Sequence, residues 1–493
     1  MTTSAGGRQQ EELDPRAKNA IRGAFLGFFV DMFDIYLPIV VLAPAIAYFV
    51  SPDLSASTTA IVSGSIFAAT LIGRPVGAFI FGHFADAIGR KRSTVIAVSG
   101  FGVATLLMAL LPGYEQWGIA VVVIFVLLRF IDGIFLGGEY TSASPLAMEY
   151  CPKEQRGFYG ALVQTGYPLA YAVISLVTTF LLFVMPAGGL GSPYVQWGWR
   201  IPFLFGAALA FAFVIYYIRS VSESELWEET GGSEAPLRAL FSGDNLKNFL
   251  QVFVMMSGMW ITLYVAAAML PPLLGDPIGL SSTSSTITLV IANVVLAGSY
   301  LVAGVISQRV GRRPFLIATS LIMAVAGAFL YYLLVSAAPE SLFLVILLTT
   351  VVTVLIIWPW GLATTYINER FHTSVRASGF GLGYSLAVIL PAFYAYYQAG
   401  LATFMPFEYT ALPLLVIGAV LILAGAAWGP ETKDVDFSED VREAEETADQ
   451  ATETSPRTTS GADRTAAVAL RLGVPGGRSR PDLFWSEKEG ALA

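Results

Sequence analysis

Six charged residues lie within long apolar segments in the first half of the chain. They are Asp31, Asp34, Arg74, Arg129, Asp132 and Glu139. An ionised side chain at the centre of a bilayer costs about 2.5–3.5 kcal/mol on insertion scales, so such residues need partners or a hydrated cavity. A carboxyl group in that setting can exchange a proton, and a guanidinium group can bind an anion through two parallel hydrogen bonds. The residue types therefore predict proton exchange and anion binding.

The acids are the candidates for proton coupling, and we rank them Asp34, then Asp31, then Glu139. At 100° per residue, Arg129, Asp132 and Glu139 lie within about 80° of one another on a helix and share a face. Asp34 and Asp31 share a stripe in the same way. The alternative is a buried ion-pair network that holds this half together and binds neither protons nor substrate.

The composition is that of a membrane protein. Hydrophobic residues make up 55% of the 493 residues and charged residues only 13%, whereas soluble domains carry roughly 25% charge. One cysteine and two histidines argue against a disulfide framework and a metal site. No Walker loop is present, so ATP is not the expected energy source. We therefore expect no cofactor, no metal and no enzymatic activity.

The apolar runs predict an all-α membrane protein with twelve transmembrane helices. The expected spans are 22–48, 58–85, 93–112, 117–149, 157–184, 198–218, 246–271, 283–307, 314–335, 341–369, 376–402 and 408–428. Lysine and arginine concentrate in the loops on one side of the membrane. This asymmetry predicts a multi-pass plasma-membrane protein with both termini in the cytoplasm.

The same reading divides the chain into five parts. We expect a cytoplasmic N-terminus at 1–19, a six-helix bundle at 20–218, a cytoplasmic linker at 219–245, a second six-helix bundle at 246–430 and a disordered cytoplasmic tail at 431–493. The tail is rich in Glu, Thr, Arg, Gly and Ala, and this composition is typical of a solvated terminus.

A short pattern occurs once in each half, from Gly82 to Lys91 and from Gly304 to Arg313. Such a repeat in so apolar a chain indicates a duplicated bundle of helices. The first copy, Gly-x-x-x-Asp-x-x-Gly-Arg-Lys, resembles the cytoplasmic loop signature of the major facilitator superfamily. The resemblance implies two pseudo-symmetric six-helix halves. The second copy has Gln308 in the position of the motif aspartate.

Further motifs are similar to those of the metabolite:H⁺ symporter branch of this superfamily. They include Gly137-Gly138-Glu139, Gly198-Trp199-Arg200, Arg376-Ala377-Ser378-Gly379 and Pro430-Glu431-Thr432-Lys433. The resemblance covers about residues 20–433. The Asp-x-x-Asp run that begins at Asp31 departs from the branch and is closer to the sialate and lactate-type proton symporters.

The resemblance also implies a cytoplasmic gate. In the superfamily the motif aspartate, here Asp86, braces the gate against the eleventh helix. We expect Glu369 to pair with the neighbouring loop that contains Arg370 and Arg376. The full set of expected gate residues is Gly82, Asp86, Gly89, Arg90, Lys91, Glu149, Arg156, Gly311, Arg312, Arg313, Glu369 and Arg376.

The candidates for substrate binding combine the membrane arginines with polar and aromatic residues of both halves. They are Arg74, Arg129, Asp132, Gln164, Tyr264, Asn293, Trp358 and Tyr384. Aromatic residues in membrane helices also serve as packing or as interfacial belts. If several of them face the cavity, they favour a ring-bearing or apolar-bodied acid.

Together, these features predict a secondary active transporter that imports a small organic acid by proton symport with alternating access. The acid is expected to be a mono- or dicarboxylate or an aromatic acid. The expected partners are this substrate, protons and membrane lipids, with no nucleic acid, and the chain is expected to be monomeric. The alternatives are proton-coupled uptake of an osmolyte, sugar or zwitterion, efflux of drugs or metabolites, and a membrane sensor that transports nothing.

Overall fold

The computed structural model describes residues 13–51, 56–230, 236–275, 278–337 and 341–438. Within these ranges the chain forms helices and turns and no β-strand. Twelve of its helices are long and apolar enough to cross a membrane. They are α1 (Pro15–Val41), α2 (Ser65–Ile88), α3 (Arg90–Ala109), α4 (Ile119–Glu149), α5 (Arg156–Val184), α6 (Tyr194–Ser220), α7 (Gly243–Gly275), α8 (Ser284–Val310), α9 (Arg312–Ser336), α10 (Leu342–Asn368), α11 (Thr373–Leu401) and α12 (Phe407–Trp428).

The predicted fold class and number of spans are confirmed, and the largest difference in bounds is at α1. This helix begins at Pro15 and ends at Val41, rather than running from residue 22 to 48. Its early start follows from capping, because the Asp14 side chain accepts a hydrogen bond from the Arg16 backbone and proline is tolerated in a first turn. A separate 3₁₀ helix, Ala43–Tyr48, follows it.

Glycines bring α2 and α4 into close contact. A Cβ added at Gly73 or Gly77 would overlap the backbone of α4, and one added at Gly133 or Gly137 would overlap the backbone of α2. Small residues at this spacing allow two membrane helices to approach backbone to backbone. The contact places Arg74, which lies between the two glycines of α2, directly against α4.

Several spans contain irregular turns. A turn at Thr165 divides α5, α7 has a π-helical segment at Val265–Met269, and α10 has a 3₁₀ segment at Trp358–Leu362. In α11 a 3₁₀ turn covers Leu386–Val388. Proline explains part of this, since it cannot donate the hydrogen bond of a helix interior. Discontinuous helices in transporters mark binding sites, and here they adjoin several of the candidate substrate residues.

Two segments outside the bundle contain more structure than the sequence predicts. The connection between α6 and α7 includes short helices at Glu225–Thr230 and Pro236–Leu240. The expectation of a disordered tail from residue 431 is wrong for its first eight residues, because Thr432 and Phe437 are only 1% and 2% exposed. The rest of the predicted tail, 439–493, and residues 1–12 lie outside the described residues.

Candidate functional site

Arg74 and Asp31 form a buried ion pair at the centre of the first six helices. Two hydrogen bonds of 3.2 Å join Nη1 to Oδ1 and Nη2 to Oδ2. Neither side chain is exposed. This is the bidentate geometry in which a guanidinium group binds a carboxylate best, and a substrate carboxylate could accept the same two hydrogen bonds.

Arg129 holds a second cluster, which lies among α1, α3 and α4. Its Nη1 is 3.0 Å from Asp34 Oδ2 and 2.7 Å from Asp132 Oδ2. The Thr105 hydroxyl donates to the other oxygen of Asp34. The carboxyl groups of Asp34 and Asp132 also lie against each other. Two carboxylates that share one cation in a buried site repel each other unless one carries a proton.

Glu139 is the third acidic element of the site. It is fully buried, and neither of its carboxyl oxygens has a hydrogen-bond partner among the described residues. The carboxyl group lies against Gly27 of α1 and near Phe213 of α6. A buried polar group without a partner is unfavourable by about 1–3 kcal/mol or more. This side chain is therefore available to a proton, a water molecule or a substrate.

Three aromatic rings of the second half pack together opposite this charged centre. The ring centroids of Trp260 and Trp360 are 4.8 Å apart, and those of Trp260 and Tyr384 are 5.1 Å apart. Both indole N–H groups donate to backbone carbonyls, at 2.7 Å for Trp260 and 3.0 Å for Trp360. We call Trp260, Trp360 and Tyr384 the aromatic cluster.

Tyr140 connects the two halves at this level. Its ring centroid is 4.8 Å from that of Tyr384, and its hydroxyl is 2.6 Å from the hydroxyl of Thr364. On the other side it stacks on Phe28 at 4.4 Å. The aromatic cluster is thus continuous with the residue that follows Glu139 in the sequence.

Two of the predicted substrate residues, Tyr264 and Tyr384, lie within electrostatic range of the Arg74 guanidinium, as does Tyr36 of α1. Gln164 is 1% exposed, and neither of its amide atoms has a partner among the described residues. Asn293 is 5% exposed and its carbonyl oxygen is similarly unpartnered there. Such orphaned groups are what a polar substrate or ordered water would satisfy.

Trp358 does not join this site. Its indole N–H donates to the Ser299 carbonyl at 2.8 Å, and its ring packs edge-on against Phe315 of α9 at 5.3 Å. The 3₁₀ segment of α10 turns Trp358 and Trp360 in different directions. Trp360, rather than Trp358, packs against Trp260 and Tyr384.

The contacts between the two halves are dense at the end of the bundle that carries both repeated loops, which we call the loop face. Asp86 accepts hydrogen bonds from the backbone N–H groups of Ala377 and Ser378, at 3.2 and 2.8 Å, and from the Ser378 hydroxyl at 2.7 Å. A helix N-terminus is a natural site for a carboxylate. Gly82 permits this approach, since a Cβ there would be 3.0 Å from Ser378 Cα.

Glu149 extends this network across the loop face. Its Oε1 is 2.8 Å from Arg376 Nη1 in α11 and 3.2 Å from Arg90 Nη2 in α3. Arg90 also donates to the Thr373 carbonyl at 2.9 Å. First-half and second-half charges are therefore linked, and this face is closed.

The second loop makes a different connection from the one expected. Glu369 pairs with Arg312 at 3.3 Å and accepts from the Thr432 hydroxyl at 2.7 Å, rather than pairing with Arg370 or Arg376. Burial raises the pKa of Glu369, and the charge of Arg312 opposes that effect. Arg370 instead points to Gln251 of α7, at 2.9 Å. The ends of α9 and α10 meet here, so the nearest cation to Glu369 lies on α9.

Both repeated loops have the same internal support. Gly89 and Gly311 adopt φ values of 107° and 104°, which glycine tolerates best. Glu223, just after α6, accepts from the N–H groups of Arg90 and Lys91, at 2.9 and 3.1 Å.

Glu431 repeats that arrangement in the second half. It accepts from the N–H groups of Arg312 and Arg313, at 2.8 and 3.1 Å. The side chains of Lys91 and Arg313 donate to the last turns of α6 and α12 respectively. The two halves thus share one local design, as a duplicated bundle should.

This repeated design agrees with a comparison of the sequence with known families. The family model of the Major Facilitator Superfamily matches residues 24–395. The chain belongs to the major facilitator superfamily. It is therefore a membrane transporter and not an enzyme. Its fold is similar to that of the proton:xylose symporter XylE bound to 6-bromo-6-deoxy-D-glucose, with a TM-score of 0.69, 19% identity, and coverage of 87% of this chain and 98% of the other.

Relatives of this transporter include proteins named for metabolites. The inner membrane metabolite transport protein YhjE of Escherichia coli is 30% identical, over 79% of this chain and 89% of the relative. The shikimate transporter of the same organism is 27% identical, over 84% and 94%. The citrate-proton symporter of Klebsiella pneumoniae is 28% identical, over 73% of this chain and 80% of the relative.

The transporter also has a contact that the sequence analysis missed. The segment after α12 brings Phe437 between two cations, with Arg156 at 3.6 Å and Arg376 at 3.8 Å from its ring centroid. Arg156 also donates to the Val435 carbonyl at 2.7 Å. A phenylalanine in a polar tail gives little signal by itself.

Four residues that lie beside Arg74 or Tyr384 were not in the predicted substrate set, namely Tyr36, Tyr140, Trp260 and Trp360. Two signals could have found some of them. Tyr140 directly follows the buried Glu139, and Trp360 closes a Trp-Pro-Trp run in which the proline interrupts α10. Neither signal says which way a ring faces.

Proposed function

We propose that this transporter imports a small organic acid together with protons. The observation that carries the proposal is an excess of buried acid. Four carboxyl groups (Asp31, Asp34, Asp132 and Glu139) and two guanidinium groups (Arg74 and Arg129) are all 0–2% exposed. If every group were ionised, the acids would outnumber the cations by two in an apolar core, which is strongly unfavourable. Bound protons remove that excess.

The surroundings of the buried acids support a ranking of the proposed proton sites. Asp34 stays our first candidate, because it and Asp132 share the guanidinium of Arg129 and together suit one shared proton. Asp31 is the second, since its counter-charge is the arginine that faces the other half. Glu139 is the third, and none of the described residues offers it a counter-charge in hydrogen-bond contact.

Coupling follows from competition for Arg74. A substrate carboxylate that accepts hydrogen bonds from both Nη1 and Nη2 of Arg74 displaces Asp31. Asp31 is then a buried acid without a counter-charge, and a proton neutralises it. Substrate and proton thus favour each other's binding, which is the reciprocity that symport requires.

Transport also needs the loop face to open and close. The Asp86 contacts with α11 and the Glu149–Arg376 pair join the halves there and must break in the alternate state. We place this face and both termini in the cytoplasm and the transporter in the plasma membrane, on the distribution of Lys and Arg. The names of the shikimate and citrate relatives support an organic acid as substrate.

The test is uptake by the purified transporter in liposomes, with and without a pH gradient. A panel of labelled mono-, di- and tricarboxylates, a sugar, proline and betaine is offered. We expect one class of acid to accumulate only when the outside is acidic, with protons entering during uptake. Asp31→Asn should abolish accumulation, whereas Asp244→Asn, at the exposed start of α7, is the matched control. Accumulation of a neutral solute alone, or of an acid without proton entry, would contradict the proposal.

A further inference from the structure

The second half of the bundle has no charge to offer a substrate at the level of Arg74. Outside about two turns from their ends, α7–α12 contain no Lys, Arg, Asp or Glu. Any anionic group of a substrate must therefore be matched by the first half. This restricts the number of carboxylates that the transporter can bind at once.

Of the two arginines in the first half, one is placed for substrate. Arg129 is bonded to Asp34 and Asp132, and its Nη2 is 3.5 Å from the Ile35 carbonyl, so all its described contacts are in its own half. Arg74 lies near Tyr264 and Tyr384 of the second half. One guanidinium group placed between the two halves matches one carboxylate.

Glu139 opposes a second carboxylate on the substrate. It lies within electrostatic range of Arg74 and has no described hydrogen-bond donor. When ionised it repels another negative charge, and when protonated it donates to a hydroxyl or carbonyl group. The arrangement selects against di- and tricarboxylates.

The aromatic cluster determines the shape of the remaining part of the ligand. The N–H groups of Trp260 and Trp360 are already satisfied by backbone carbonyls, so these residues offer apolar ring surface. Tyr264 adds its ring beside Phe67 of α2, at 6.1 Å. Aromatic rings pack well against a flat or cyclic body and gain less from a short flexible chain.

From these observations we infer that the substrate is a cyclic or aromatic monocarboxylate, with its carboxylate on Arg74 and its ring against Trp260, Trp360 and Tyr384. This inference rests on the proposed function. It narrows the substrate class to acids with one carboxylate and a ring.

The experiment compares labelled benzoate and cyclohexanecarboxylate with succinate, citrate and acetate, in liposomes with an inward proton gradient. We expect the two ring acids to be taken up with kcat/KM at least about tenfold above that of the other three. Benzamide, which lacks the charge, should not compete.

Two tryptophan variants distinguish a specific loss of ring recognition from general disruption of α10. Trp360→Leu should reduce the preference for benzoate over acetate by about tenfold, because it removes a ring of the aromatic cluster. Trp358→Leu, two residues away and packed on Phe315, should leave that preference within about twofold.

The outcomes distinguish the inference from the function on which it rests. If succinate or citrate accumulates with protons and the ring acids do not, the inference is overturned and acid–proton symport stands. If no acid accumulates, the proposed function itself fails. An equal loss of preference in the two tryptophan variants would also overturn the inference that the substrate ring packs against the aromatic cluster.

Discussion

The guanidinium group of Arg156 lies over the ring of Phe437, with 3.6 Å between Cζ and the ring centroid. The same ring is 3.8 Å from Cζ of Arg376. Because Arg156 begins α5 and Arg376 lies in the first turn of α11, one side chain from the segment after α12 touches both halves at the loop face.

This relationship predicts that Phe437 stabilises the state in which the loop face is closed. A partly desolvated cation–π contact contributes about 0.5–2 kcal/mol. Phe437→Ala removes two such contacts and should therefore shift the conformational equilibrium toward opening by about 1–4 kcal/mol. Double electron–electron resonance between spin labels on the loop face would measure the shift. Phe404→Ala is the matched control, since that ring is 74% exposed. Unchanged distance distributions in the Phe437 variant would contradict the assignment.

Arg74→Lys should weaken binding of a substrate acid while retaining the positive charge. A lysine ammonium cannot reproduce the two parallel hydrogen bonds that Arg74 makes with Asp31. We expect KM for the transported acid to rise by about tenfold or more, in line with the worth of a charged hydrogen bond. Initial uptake rates in liposomes provide KM. Competition by the corresponding amide as strong as by the acid would rule out recognition of a carboxylate.

Asp34→Asn should separate accumulation from exchange. The amide cannot carry the proton that Asp34 and Asp132 are proposed to share beside Arg129. Proton-driven accumulation should be lost, and exchange of preloaded for external substrate should persist in part. Both are measured with the same labelled acid and the same liposomes. If the variant still concentrates substrate normally and protons still enter, Asp34 is not the proton carrier. Asp31 and then Glu139 would be the next candidates for that role.

Gly27→Ala should disturb the site through Glu139. The added methyl group would overlap Glu139 Oε1 and approach Phe213 to 2.9 Å, so the acid has to move. Overpacking of this kind costs about 1–3 kcal/mol. We expect a lower melting temperature and slower uptake. Gly298→Ala on α8 is the control, because a Cβ there meets nothing within 4 Å. Equal behaviour of the two variants would show that the contact with Gly27 has no influence.

Cysteine labelling tests the proposed orientation. The native Cys151 is 2% exposed, and burial raises the pKa of its thiol to about 12, so it should not react. In that background, Ala187→Cys should be labelled by an impermeant maleimide in intact cells. Glu228→Cys should be labelled only after permeabilisation. The reverse labelling pattern would contradict the proposed orientation of the protein in the membrane.

The amino-acid sequence by itself determined the twelve spans and the presence of charges within them. Both follow from local properties, since about 20 apolar residues cross a bilayer as a helix and an acid or arginine within such a run is evident on inspection. The sequence also determined the two repeated loops, because their glycines and basic residues are adjacent in the chain.

Only the tertiary structure decided which charges meet. Asp31 and Asp34 are one turn apart on α1, yet one pairs with Arg74 on α2 and the other with Arg129 on α4. The rotation of α1 against its neighbours sets that choice, and it depends on close packing such as that of the α2 and α4 glycines. The partner of Glu369, the opposite directions of Trp358 and Trp360, and the position of Phe437 likewise depend on contacts between residues far apart in the chain. Periodicity along one helix carries no information about them, because it describes a face and not the neighbour that the face meets.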